Sequence, residues 1–134
     1  MEAEKIRKPV TLPIDGLEVF DGIPEVTNVN YNLSLLRIKL EFSDANHSVY
    51  ISFDSVRGFR VLDEGDLLEF WDPGSRAQGW LWHVEEGGWF DLEKLRDGFM
   101  SGVNGGYKEF LVVGQNECVS VIANGDPILE KSEP

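Results

Sequence analysis

Cysteine is almost missing. Cys118 stands alone, so no intrachain disulfide can form, and 134 residues are enough to bury a core without one. Histidine is nearly as scarce: His47 and His83 lie far apart, and nothing matches the H-x-x-x-H or C-x-x-C spacing of a metal site. No run approaches the ~20 apolar residues that span a bilayer. The start, Met1 to Pro9, has no apolar signal-peptide core behind it. Positive charge is short as well, with 12 Lys and Arg against 24 Asp and Glu, a net −12. Such a field repels nucleic acid and anionic membrane and attracts a basic protein. These absences predict a cytoplasmic protein with no cofactor, no metal, no nucleic-acid partner and no membrane partner.

Catalytic arrangements are also lacking. Cys118 sits inside an apolar strand pattern, where a thiol is a small buried hydrophobe rather than a nucleophile. Carboxylates are so numerous that no pair is singled out for acid–base work. Asp63, Glu64 and Asp66 lack the later glutamate of a calcium loop, and Gly102, Gly105 and Gly106 lack the lysine and strand-to-helix setting of a phosphate loop. The expectation is a protein that is not an enzyme, with no catalytic residues.

What is present is period-two alternation. Asn28, Asn30, Asn32 and Ser34 alternate with Val29, Tyr31, Leu33 and Leu35, and then the phase changes so that Leu36, Ile38, Leu40 and Phe42 are the apolar set. A bulge or a bend between strands leaves that mark. After the turn residues 43–48, Val49, Ile51 and Phe53 share a face, which predicts an antiparallel hairpin of 36–42 with 49–54. Phe59 and Val61 continue the alternation to the acidic turn Asp63-Glu64-Gly65-Asp66, and Leu67 to Trp71 form another short apolar segment. Gly79 to Val84 reads as an aromatic strand, and Glu109–Val113 with Cys118–Ala123 as a second hairpin around Gly114 to Glu117. Asp91 to Gly98 is the one short helix, with Asp91 as N-cap, Leu92 and Leu95 on one face, and Gly98 as a left-handed C-terminal stop. There is no repeat, low-complexity segment or linker. The reading is a single α+β, β-rich domain over 1–134, with 1–12 and 127–134 as loose ends. It would be one curved antiparallel sheet built from hairpins, with one short helix.

Charge and aromatics concentrate together. Between Asp63 and Asp97 ten acids face Arg76, Lys94 and Arg96, a net −7 of the −12, and Trp71, Trp80, Trp82 and Trp89 fall inside the same segment. Large rings ringed by carboxylates are how a protein-binding hot spot is built. The predicted partner-binding residues are Asp63, Glu64, Asp66, Glu69, Asp72, Trp80, Trp82, Glu85, Glu86 and Trp89.

Ser52-Phe53-Asp54, the run Phe59-Arg60-Val61-Leu62-Asp63-Glu64-Gly65, and the hairpin Phe110-Leu111-Val112-Val113-Gly114 with Cys118-Val119-Ser120-Val121 carry a resemblance. In size, acidity and strand texture over residues 28–127 the chain resembles the small bacterial immunity proteins encoded beside contact-dependent or type VI secreted toxins. That resemblance implies a dedicated inhibitor that binds a cognate toxin domain, often a basic nuclease, and neutralises it. The other expectation is a small ligand- or peptide-binding accessory domain whose aromatics line a pocket.

Overall fold

Alternation turns Leu36, Ile38 and Leu40 to one side of a strand and Arg37 and Lys39 to the other, and the first set is completely buried. The structure, a computed structural model, describes residues 10–13, 23–42, 48–63, 80–99 and 105–131. In chain order it forms β1 (Val10–Pro13), β2 (Glu25–Tyr31), β3 (Leu35–Glu41), β4 (Ser48–Asp54), β5 (Val56–Asp63), β6 (Leu81–Glu86), α1 (Trp89–Glu93), β7 (Lys108–Val113), β8 (Glu117–Ala123) and β9 (Ile128–Lys131). The strands make two antiparallel sheets, one in the order β1-β6-β7-β8-β5 and the other β2-β3-β4-β9. No helix among the described residues is long and apolar enough to cross a membrane.

Two sheets replace the single curved sheet expected from the sequence. The physical reason lies in β7 and β8, whose residues Glu109–Val113 and Cys118–Ala123 are buried on both faces. A strand with no wet face needs a layer on each side. Phe53 of β4 meets Phe110 of β7 across the interior at 5.5 Å. Phe42, just after β3, meets Trp80, just before β6, at 5.5 Å, and Tyr31 meets Phe59 at 5.4 Å along the β2–β5 side. Ring pairs thus join the sheets at the centre and toward the rim, each worth about 1 kcal/mol beyond the area it buries.

The phase change at Leu35-Leu36 is a hairpin turn between β2 and β3. The Asn32 side-chain oxygen accepts the N–H groups of Ser34 and Leu35 at 2.9 and 2.8 Å, and Leu33 is forced to φ 78°. The left-handed region costs an ordinary residue about 1 kcal/mol, and asparagine or glycine would sit there more easily. The 36–42/49–54 hairpin forms as expected, with Ile38 opposite Ile51. The second hairpin closes where Gly114 donates its N–H to Glu117 O at 3.0 Å. A Cβ on Gly114 would collide with that carbonyl and stand 2.8 Å from Val26 Cγ2, so only glycine fits. Gln115 then ties this turn to the other sheet through its N–H to Pro24 O at 2.9 Å and its side chain to Ile23 O at 3.0 Å.

Three local expectations change. The chain ends are not loose throughout, because Val10–Pro13 pairs with β6 and Ile128–Lys131 with β4, where Leu129 packs against the core. The helix is a single turn that starts at Trp89 rather than Asp91, and Leu92 and Leu95 are exposed. Gly98 is not left-handed. The expected acidic turn from Glu64 to Asp66, the segment 67–71, the loop to Gly79 and the turn 43–47 lie outside the described residues.

Since Phe53 and Phe110 are the central contact between the layers, Phe53→Ala and Phe110→Ala should each cost about 3–5 kcal/mol in urea unfolding. The double variant should cost less than the sum, because each change removes the same ring contact.

Candidate functional site

The predicted acidic and tryptophan residues do not gather into one surface among the described residues. Trp80 and Trp82 are buried core side chains, so their rings serve packing and offer nothing to a partner. Asp63 ends β5 opposite Glu117, while Glu85 and Glu86 end β6. Strands β7 and β8 lie between, and the registers put the two acidic spots at opposite ends of the sheet. Glu64, Asp66, Glu69 and Asp72 lie outside the described residues.

Trp89 occupies a different environment. Its ring lies against Gly58, where a Cβ would sit 3.4 Å from Cη2, and the Arg60 guanidinium stands 4.9 Å over its centroid. Its indole N–H donates to Glu93 at 2.9 Å. Arg96, donating to the same carboxylate at 2.7 Å, holds the Glu93 carboxyl below its ordinary range.

Beneath this helix lies Glu109, only 1% exposed. One carboxylate oxygen accepts the Trp89 N–H at 3.2 Å and the other the Phe90 N–H at 2.9 Å. A side chain from β7 therefore satisfies the open N–H groups that a helix start leaves, the task the sequence assigned to Asp91. Asp91 instead accepts the N–H of Gly87, held at φ 80°. A Cβ on Gly88 would come within 2.7 Å of both Glu109 Oε1 and Val84 Cγ1, which explains the glycine pair after Glu86. Burial pushes the Glu109 carboxyl above its ordinary value, and the two N–H bonds and the Arg60 charge offset this only in part.

The outer face of the four-stranded sheet carries a different kind of site. Registers align Asn30, Arg37, Ser52 and Ile128 in one row across all four strands, and Asn28, Lys39, Tyr50 and Glu130 in the next. An open groove of about 460 Å³ is lined by Asn30, Asn32, Leu35, Arg37, Ser52, Ile128 and Glu130. The Arg37 guanidinium lies 3.9 Å over the Tyr50 ring and reaches Glu130 at 3.5 Å. Paired donors, paired acceptors and amides thus converge beside apolar rims at Leu35 and Ile128. The alternation of Asn28, Asn30 and Asn32 is the sequence signal for this face. It reads as a solvated side until the partner strands are known.

The family model for the cytolethal distending toxin A/C domain matches residues 57–131, more than half of the chain. The chain belongs to the cytolethal distending toxin A/C domain family. No curated protein and no solved structure matches it. The immunity-protein reading is overturned by this match, because the family is a toxin's own domain and not an inhibitor. Size, acidity and strand texture do not separate the two. The cognate basic toxin expected as its target falls with that reading. The A/C domain match covers β5 to β9, so four of the five strands of one sheet and only β9 of the other. The groove is therefore built mostly from residues that precede the A/C segment, with Ile128 and Glu130 as its contribution.

Because Glu109 has a raised value in the fold, its contribution to stability is fully present below the ordinary 4.5 and is lost as pH rises through the raised value. Glu109→Gln abolishes that loss. Relative to wild type, the Gln variant should gain ground in urea midpoints as pH rises above about 4.5. Glu109→Ala, which leaves two helix N–H groups without an acceptor, should cost about 2 kcal/mol or more at low pH and less as pH rises above about 4.5.

Proposed function

We propose that this domain is a non-catalytic recognition module that binds carbohydrate in the groove on the outer face of the β2-β3-β4-β9 sheet. In this reading it acts as the binding component of a toxin-type assembly together with a second protein. The observation that carries the carbohydrate reading is the row Asn30–Arg37–Ser52–Ile128 with Glu130 and Tyr50 beside it. Sugars present neighbouring hydroxyls that both donate and accept. An asparagine amide offers a donor and an acceptor together, the Arg37 guanidinium offers paired donors, and the Glu130 carboxylate offers paired acceptors. Leu35 and Ile128 supply apolar contact for the C–H face of a ring, and stacking on Tyr50 keeps Arg37 flat and pre-ordered.

The same reading keeps the small-ligand alternative raised by the sequence, with Tyr50 in the place of the tryptophans. A non-catalytic role is supported by the positions of the two side chains best suited to covalent or acid–base work. Cys118 is buried, and the His83 ring packs 5.5 Å from Phe110, on the other sheet from the groove. Family membership supports a protein partner, since the matched domain is named for the A/C components of a toxin. The groove is open, so a single sugar should bind weakly, on the order of 1 mM or ~4 kcal/mol, with gains from several copies presented together.

A protein-detected amide chemical-shift titration with a panel of mono- and oligosaccharides tests the reading. At least one saccharide should perturb Asn30, Arg37 and Ser52, and it should be recovered chemically intact. Arg37→Ala and Tyr50→Ala should each weaken it roughly tenfold, and the exposed Arg37→Ala should do so while its unfolding midpoint moves by less than about 0.5 kcal/mol. A panel that leaves all three residues unmoved overturns the assignment.

A further inference from the structure

The groove on the four-stranded sheet is not chemically uniform from side to side. Asn32 is fixed there as a donor, because its side-chain oxygen already accepts the N–H groups of Ser34 and Leu35. Arg37 has donors only, and the Asn30 amide and Ser52 hydroxyl have no side-chain partner among the described residues. Along β9 the chemistry reverses. Glu130 has acceptors only, with one carboxylate oxygen 3.5 Å from Arg37 and the other without a partner among the described residues. Two residues earlier, on the same face, Ile128 is 60% exposed. Donors on one side of the groove thus face an acceptor and an apolar contact on the other.

A bare hydroxyl both donates and accepts, so such a division offers it nothing. A secondary amide is different. Its C=O and N–H point in opposite directions across a trans bond, and in an acetamido group the methyl lies on the N–H side. With about 3 Å for each hydrogen bond, the partners of its two ends stand roughly 7–8 Å apart. Strands β3 and β9 are two spacings apart, about 10 Å at the backbone, with Ser52 of β4 between them. The Arg37–Glu130 contact is long and both groups are about half exposed, so opening it costs little. An amide inserted there replaces it with two charge-assisted hydrogen bonds.

We infer that the groove selects sugars that carry an acetamido group, with the carbonyl oxygen on the Arg37 and Ser52 side, the N–H on Glu130 and the methyl on Ile128. The inference rests on the carbohydrate reading and deepens it. An acidic sugar is the poorer occupant, because its carboxylate would meet Glu130 beside Arg37 in a chain of net charge −12.

The test is an amide-shift titration of the full chain with matched pairs: N-acetylglucosamine against glucose, and N-acetylgalactosamine against galactose. Glucuronic acid is the anionic probe. At least one acetamido sugar should bind roughly fivefold or more tightly than its parent, through one added methyl contact and the charge-assisted hydrogen bonds. It should move the Ser52, Ile128 and Glu130 amides most. Ile128→Ser and Glu130→Ala should each bring the ratio of the two affinities to about twofold or less, whatever happens to the parent sugar alone. Both side chains are exposed, and unchanged spectra away from the groove show that the fold is kept. Three outcomes overturn the inference and leave the carbohydrate reading standing: parents that bind as tightly as their acetamido forms, glucuronic acid that binds more tightly than either acetamido sugar, or a ratio that survives either substitution. No shift with any saccharide overturns both.

Discussion

The contact between the inner faces of the two sheets is the constraint on which everything else depends. Phe110, Val112, Val119 and Val121 form one apolar face and Leu36, Ile38, Leu40, Val49, Ile51 and Phe53 supply the other, all but fully buried. Neither set has a second way to leave water. The A/C segment alone, residues 57–131, contains nearly all of the first face and only β9 of the second sheet. The strands before it are therefore structurally necessary to the segment as folded here. In covering that inner face they present their own outer face as the groove.

Charge is arranged by a similar economy. The described arginines are each laid on an aromatic ring: Arg37 on Tyr50, Arg57 on Tyr107, Arg60 on Trp89 and Arg96 on Phe99. Lys94 lies over Phe90 in the same way. In a chain with twice as many acids as bases, positive groups are in demand on every side. Stacking holds each guanidinium in one place and uses a face of its charge distribution that a carboxylate does not need. Arg60 shows the effect most clearly, since it orients Trp89 while its charge tempers the cost of burying Glu109.

Strands were largely legible in the sequence because their signal is local. Alternation named the 36–42/49–54 hairpin and the turn at Gly114, and both hairpins form. The number of sheets was not legible, because it depends on which apolar faces meet, and that is a matter of pairing between distant segments such as Phe53 and Phe110. The helix start was misplaced for a similar reason: its cap is Glu109, nineteen residues beyond Phe90 in the chain, so no local capping pattern could reveal it. The tryptophans misled because composition does not say which way a ring points, and Trp80 and Trp82 point inward. The groove was present in the sequence only as unremarkable polar alternation, since a row across four strands draws Asn30, Arg37, Ser52 and Ile128 from places far apart.

That row has a consequence for the size of what it can hold. Neighbouring strands stand about 4.8 Å apart and alternate residues along a strand about 6.7 Å, so the sheet is a ruled grid. From Asn30 across to Ile128 there are three strand spacings, about 14 Å, longer than one sugar ring and close to a short chain of them. The backbone, and not the flexibility of side chains, sets that length. A one-residue slip of β9 would not shorten the ruler but would turn Ile128 and Glu130 to the other face and erase its last division.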